Sequence, residues 1–196
     1  SAWGLTPKSP EVQKSVRRAV DFLAAKANDP RVGAKALVGR VLVMNKQSEH
    51  PKVVEAVNAI RQTVRNLPEV MDIYTLGIAL SFLVELDPDK YRDDIDLLLG
   101  ELEKRQKPHG GWGYPGRNTG DTSMTQNALL GAWIAQQYGR ELPLNSWVRA
   151  TDWLLRTQDP SGAFGYQGVL AEPHTRVAQN EMTVTMTAAA WGSLYL

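Results

Sequence analysis

The chain has 196 residues, with 22 Lys+Arg against 21 Asp+Glu, three His, no Cys and 43% hydrophobic residues. That length suits one well-cored domain, and the composition excludes disordered, collagen-like and coiled-coil chains. No apolar run nears the roughly 20 residues of a membrane-spanning helix, so no membrane span is expected. Without cysteine there is no disulfide, thiolate metal ligand or Cys nucleophile. A soluble protein is expected, with the cytoplasm the favoured compartment.

The net charge of +1 hides a gradient. The stretch up to Asn66 holds 12 basic and 5 acidic residues, whereas Leu67 to Lys107 holds 5 and 10. The N-terminal cations recur at helical spacing without interleaved aromatics, which describes a solvated face, so no nucleic-acid partner is expected.

In chain order, half-exposed and apolar helices alternate. Val12, Val16, Ala19, Val20 and Leu23 form an amphipathic stripe, and Ala34 to Met44 follows as an apolar helix. The stripe of Val53, Val57, Ile60 and Val64 precedes the apolar Ile73 to Leu86. Ile95, Leu98, Leu99 and Leu102 precede Met124 to Ala135, and Trp147, Ala150, Trp153 and Leu154 precede Met182 to Leu196. Asp93, Asp94 and Asp96 read as a solvated, dipole-favoured start of their outer helix. A helix apolar nearly all round is buried on several sides. The expected fold is therefore all-α: an α/α toroid, or an arc of one, made of about four hairpins with inner and outer layers. One domain over 1–196 is expected, with its clearest repeats at 95–139 and 147–196. The chain ends inside an apolar helix, Ala188 to Leu196, which suggests a piece of a longer protein, or a second subunit that completes the ring.

An internal repeat supports this organisation. Gln106-Lys-Pro-His-Gly-Gly-Trp-Gly-Tyr114 matches Gln158-Asp-Pro-Ser-Gly-Ala-Phe-Gly-Tyr166, so Gln106, Gly110 and Trp112 correspond to Gln158, Gly162 and Phe164. Ser123-Met124-Thr125 then matches Thr185-Met186-Thr187 after an insertion around Gly168 to Asn180. Gly110 and Gly113 are expected to turn the chain sharply, Trp112 to bury its ring between repeats, and Gln106 to hold orphan backbone groups at a helix end.

This block resembles the QW repeat of squalene–hopene and oxidosqualene cyclases, and Asp121-Thr-Ser-Met-Thr-Gln126-Asn-Ala-Leu-Leu130 is similar to the inner-helix start that follows it in those enzymes. The resemblance covers roughly Ile95 to Leu196 and points to the cyclase/prenyltransferase repeat superfamily. It implies an α/α toroid with an apolar inner cavity. The Asp-x-Asp-Asp acid of the cyclases is absent, and the zinc site of the prenyltransferases, which needs a Cys, cannot form. No metal and no cofactor are expected.

In such a toroid a ligand meets the first turns of the inner helices. The candidate ligand-binding residues are Asp121, Thr122, Gln126, Tyr114, Arg117, Asp72, Tyr74 and His174, beside Arg176, Glu181 and Thr183, above an apolar floor of Met124, Ala128 and Leu129. Arg117 could pair with Asp121. Asp121-Thr122-Ser123 equally suits an N-cap, and Met124, Met182 and Met186 suit core filling. Three functions follow: binding of an apolar, isoprenoid-like molecule with catalysis unassigned; a non-catalytic protein-interaction domain of a larger protein; or a carbohydrate-active toroid using Asp121 and Glu181 as paired carboxylates.

Overall fold

The computed structural model describes residues 4–196; Ser1, Ala2 and Trp3, the start of the expected 1–196 unit, lie outside the described residues. Among the described residues eight helices follow one another: α1 (Pro10–Lys26), α2 (Val32–Met44), α3 (Pro51–Asn66), α4 (Ile73–Leu86), α5 (Arg92–Arg105), α6 (Thr122–Gln136), α7 (Leu144–Arg156) and α8 (Val184–Tyr195). A single 3-10 turn, Pro68–Val70, leads into α4. Among the described residues there is no strand; one isolated antiparallel bridge joins Phe164 to Thr183. The protein is all-α.

Local chemistry sets the starts. Pro10 and Pro51 open α1 and α3, where a missing N–H costs nothing. The side chains of Asp72, Asp121 and Thr183 accept from Thr75 N, Met124 N and Met186 N at 2.6, 3.0 and 3.0 Å, capping α4, α6 and α8.

The even-numbered helices pack side by side in the order α2, α4, α6, α8; α1 and α3 pack against α2, and α5 against α4 and α3. Between α2 and α4, Gly39 lies against the Phe82 ring, and Arg40 grips Glu85 with two bonds of 2.8 and 2.7 Å. Between α4 and α6, Gly77 and Gly131 bring two backbones together: a Cβ on Gly131 would sit 2.7 Å from Gly77 Cα. Leu76, Ala79, Leu80, Phe82 and Leu83 of α4 and Ala128, Ala132 and Ala135 of α6 are completely buried.

Burial is less uniform along the row than the apolar patterns suggest. In α2 only Ala36, Gly39 and Leu42 are buried, and in α8 only Met186, Ala189, Ala190 and Ser193. These helices end the row and lack a neighbour on one side. Leu37 and Met44 are exposed on α2, and Val184, Trp191 and Tyr195 on α8. The stripe of α1 is largely exposed as well, with Val20 its only buried residue. Met182, expected in the core, is exposed before α8 begins.

The outer aspartates also divide. Asp93 and Asp96 face solvent, and Asp96 meets Arg140 at 3.1 Å. Asp94 is buried, contrary to the solvated reading. It receives Arg61 at 3.0 Å and Arg65 at 2.7 Å, both from α3. Helical periodicity gives a residue's face but not the identity of groups arriving from 29 and 33 positions upstream.

Several bonds of the repeat are duplicated. Gln106 Nε2 donates to Gly110 O at 2.7 Å, and Gln158 Nε2 to Gly162 O at 3.1 Å. Trp112 N donates to Thr125 Oγ1, and Phe164 N to Thr187 Oγ1, each at 3.0 Å. Asp121 N returns to Trp112 O as Thr183 N returns to Phe164 O. Both rings are completely buried, and Trp112 Nε1 donates to Leu102 O at 2.8 Å. Gln106 also donates to Ser146 O at 2.8 Å, so it ties its own loop to the first turn of α7 rather than closing a helix end. Gly110 and Gly162 occupy left-handed backbone, at φ 103° and 89°, where glycine is favoured. Gly113 does not; it is needed because a Cβ there would lie 2.5 Å from Thr119 O.

Candidate functional site

The site is built where α4 and α6 begin together. Tyr74 and Ser123 hold the second positions of these helices, and the close approach at Gly77 and Gly131 brings them level. Tyr74 Oη lies 2.6 Å from Ser123 Oγ, and Ser123 Oγ donates to Asp121 Oδ1, also at 2.6 Å. A continuous polar chain, Tyr74–Ser123–Asp121, therefore crosses from α4 to α6. Partial burial pushes the Tyr74 phenol up from 10.0 to about 12, with the bond to Ser123 opposing and the Asp121 charge reinforcing the shift. Tyr74 is an un-ionised hydrogen-bonding group throughout the physiological range.

Beside this chain lies a groove of about 880 Å³. One wall is the 3-10 turn and the start of α4, with Val70, Met71, Asp72, Ile73 and Tyr74. The end of α5 and the repeat loop, from Lys104 to Pro108 and from Gly113 to Pro115, form the other wall, and Met124 of α6 contributes an apolar side chain. Its charges are largely committed to the fold. Arg105 donates to Glu101, to Pro68 O at 2.5 Å and to Met71 O. Lys107 donates to Tyr114 O at 2.9 Å and to Arg117 O, and Lys104 lies 3.3 Å from Glu101. Gln106 Oε1, by contrast, is buried without a partner.

Of the candidate residues, Asp72, Tyr74 and Tyr114 line the groove together with Met124. Asp121 does not line it. Its carboxylate is buried as the α6 cap and lies behind the groove, one hydroxyl away from Tyr74. Thr122 is committed to the next repeat: its hydroxyl donates to Gly165 O at 2.7 Å and its N–H to Tyr166 O at 2.8 Å. Gln126 is half-buried on α6 outside the groove. Arg117 makes no ion pair with Asp121; its guanidinium lies over the Tyr114 ring, 5.4 Å from the centroid. His174 and Glu181 are exposed in the last loop, both in left-handed backbone at φ 61° and 54°. Asp121 and Glu181 thus do not share the groove. Ala128 and Leu129 belong to the core beneath.

Sequence reasoning missed Val70, Met71 and Lys107. The short Pro68–Val70 turn carries too few residues for periodicity, although Pro68 and the apolar Val70-Met71 pair before the Asp72 cap were a usable signal. Among the described residues no three His, Asp or Glu side chains gather where a metal ion could be held. No helix is long and apolar enough to cross a membrane. No protein-family model matches the chain, and no curated protein matches it either.

Proposed function

We propose that the chain is a squalene-cyclase/prenyltransferase-like repeat domain, an arc of an α/α toroid, that binds an elongated apolar molecule of isoprenoid character in the groove at the start of α4 and α6. The observation that carries this reading is the groove itself: Val70, Met71, Ile73 and Met124 line it with two tyrosines, and the Asp72 and Arg105 side chains and Lys107 are bonded within the fold, the make-up of a small-molecule site. The side-by-side row of α2, α4, α6 and α8 and the duplicated bonds of the repeat support the family and the toroid. The role is binding. Asp121, the obvious carboxyl, serves as a helix cap.

The test is direct titration with farnesene, squalene and farnesol, on the native protein and on Val70→Arg. Val70 is 66% exposed, so the added charge enters the groove without disturbing the core. Severalfold weaker binding by the variant is expected; equal binding, or none of the three probes binding, overturns the reading.

A second reading, a protein-interaction domain, is favoured by α8. Val184, Trp191 and Tyr195 stand 87%, 54% and 93% exposed on one face of that helix. By the repeat offset they correspond to Thr122, Leu129 and Trp133 of α6, the preceding inner helix. An additional inner helix, from a second subunit or the rest of a longer chain, would cover that face. On this reading the native protein should self-associate in sedimentation and Trp191→Glu should abolish the association; a monomeric native protein, or an association surviving in the variant, would count against it.

A further inference from the structure

We infer that the groove recognises its apolar ligand through a neutral alcohol, because Tyr74 in its lining and the buried Gln106 beside it hold hydrogen-bond acceptors whose own protons are already committed. The inference rests on the groove reading above and concerns only the ligand's polar end.

The direction of the polar chain decides the matter. Asp121 Oδ1 accepts from Ser123 Oγ at 2.6 Å as it accepts from Met124 N at 3.0 Å, so the first contact uses the one proton of Ser123. Ser123 Oγ has no second proton, so its 2.6 Å contact with Tyr74 requires the phenol to donate inward. Tyr74 Oη is left with acceptor capacity on the residue that lines the groove.

Gln106 reaches the same state by another route. Both Nε2 protons go to backbone carbonyls, Gly110 O at 2.7 Å and Ser146 O at 2.8 Å, which fixes the amide and leaves Oε1 as acceptor. That oxygen is buried and unpartnered, while the residue is 9% exposed and borders the groove. The sister repeat shows what is missing. There Gln158 makes the equivalent bond to Gly162, and its Oε1 accepts from Arg176 Nε at 2.9 Å. A buried acceptor satisfied in one repeat and orphaned in the other marks a place for a donor from outside the chain.

Charge selects among donors. The lining holds Lys104, Arg105 and Lys107 against Glu69 and Asp72, so neither sign dominates. The bonds of Arg105 to Glu101 and backbone carbonyls, and of Lys107 to backbone carbonyls, leave no paired clamp for a diphosphate, and the nearly balanced lining gives an ammonium head no net attraction. A hydroxyl meets both conditions, since it donates and carries no charge.

The experiment compares farnesol, farnesyl methyl ether, farnesyl diphosphate and farnesylamine, with farnesene as the headless probe, on native protein, Tyr74→Phe and Ser123→Ala. On native protein farnesol should bind about two- to tenfold more tightly than the ether, the worth of one hydrogen bond. Tyr74→Phe should remove that preference. Ser123→Ala frees the phenol proton to turn into the groove, so the ether should gain and the ratio fall toward unity. Equal binding of alcohol and ether to native protein, an unchanged ratio in Ser123→Ala, or tighter binding of diphosphate or amine than of farnesol overturns the inference. Farnesene binding that Val70→Arg weakens leaves the groove reading standing in each of those cases; no binding of any probe overturns both.

Discussion

Gly131→Ala should destabilise the protein, and Gly100→Ala should stabilise it. Both glycines lie inside helices, α6 and α5, where alanine is intrinsically better by about 1 kcal/mol. Around Gly100 a Cβ meets nothing within 4 Å, so that gain stands alone. At Gly131 the same carbon would sit 2.7 Å from Gly77 Cα and 2.8 Å from Gly77 O. Carbon atoms settle at about 3.5–4.0 Å, so α4 and α6 would have to part by about 1 Å. The obstacle is backbone, which has no rotamer to yield, placing the cost near the upper end of the roughly 1–3 kcal/mol of overpacking. After the propensity gain the net loss is about 2 kcal/mol. At this chain length that lowers the melting temperature by about 4–8 °C, against a rise of about 2–4 °C for Gly100→Ala. Urea and thermal unfolding of the two variants beside the native protein measure the difference. Separating α4 from α6 also stretches the Tyr74–Ser123 bond, so Gly131→Ala should lose the preference for alcohol over ether. Shifts of the same sign in the two variants, or an intact preference in a destabilised Gly131→Ala, would refute the reasoning.

Trp112→Ala should cost about 3–5 kcal/mol, because it empties a fully buried ring site; an unchanged melting curve would reject the clasp between repeats. Asp94→Ala should cost about 1–3 kcal/mol through lost charge-assisted bonds, since Arg61 and Arg65 are each more than 40% exposed and recover water. The exposed Asp93→Ala should stay within about 0.5 kcal/mol, and equal effects would return Asp94 to the solvated face. Because Tyr74 ionises near 12 when folded and near 10 when unfolded, its contribution to stability is complete below 10 and disappears as the pH rises toward 12. Tyr74→Phe should flatten that alkaline decline. His109 behaves oppositely: burial, with the Lys107 charge added, holds it below 6.5, so its contribution is complete above 6.5 and is lost as the pH falls through the lowered value. His109→Gln should reduce the acid-side decline in a pH series of unfolding midpoints.

The helices were legible because their periods are local. Ile73 to Leu86 reads as one apolar run and folds with those limits, since Asp72 caps it and Asp87-Pro88 ends it. The repeat was legible as identical letters, and Gln106 and Gln158 make the same bond to Gly110 and Gly162. What escaped is lateral. Apolarity announces that α2 and α8 can be buried, but their place at the ends of the row decides that they are buried on one side only. Asp121 was expected at the mouth of a cavity; it does cap α6, but its carboxylate is buried and lies outside the groove. Its distance from the groove depends on how far α6 is set back from α4, which two glycines 54 positions apart determine. Gln106 was assigned to the clasp, which it serves with its nitrogen. The state of its oxygen depends on a donor that the fourth repeat takes from its insertion and the third repeat lacks.

The unequal burial along the row also sets an order of opening. A protein in which each hairpin rests mainly on its neighbours loses structure from its ends inward. With Val20 alone buried among the seventeen residues of α1, the amides of that helix should exchange with solvent through local fraying, without waiting for the domain to unfold. The amides of α4 and α6, interlocked at Gly77 and Gly131, can exchange only when the centre itself separates. The groove is anchored to that slowest-exchanging pair. Its geometry would therefore persist through fluctuations that strip the outermost helices, and a ligand seated there would slow exchange in α4 and α6 while leaving α1 as it was.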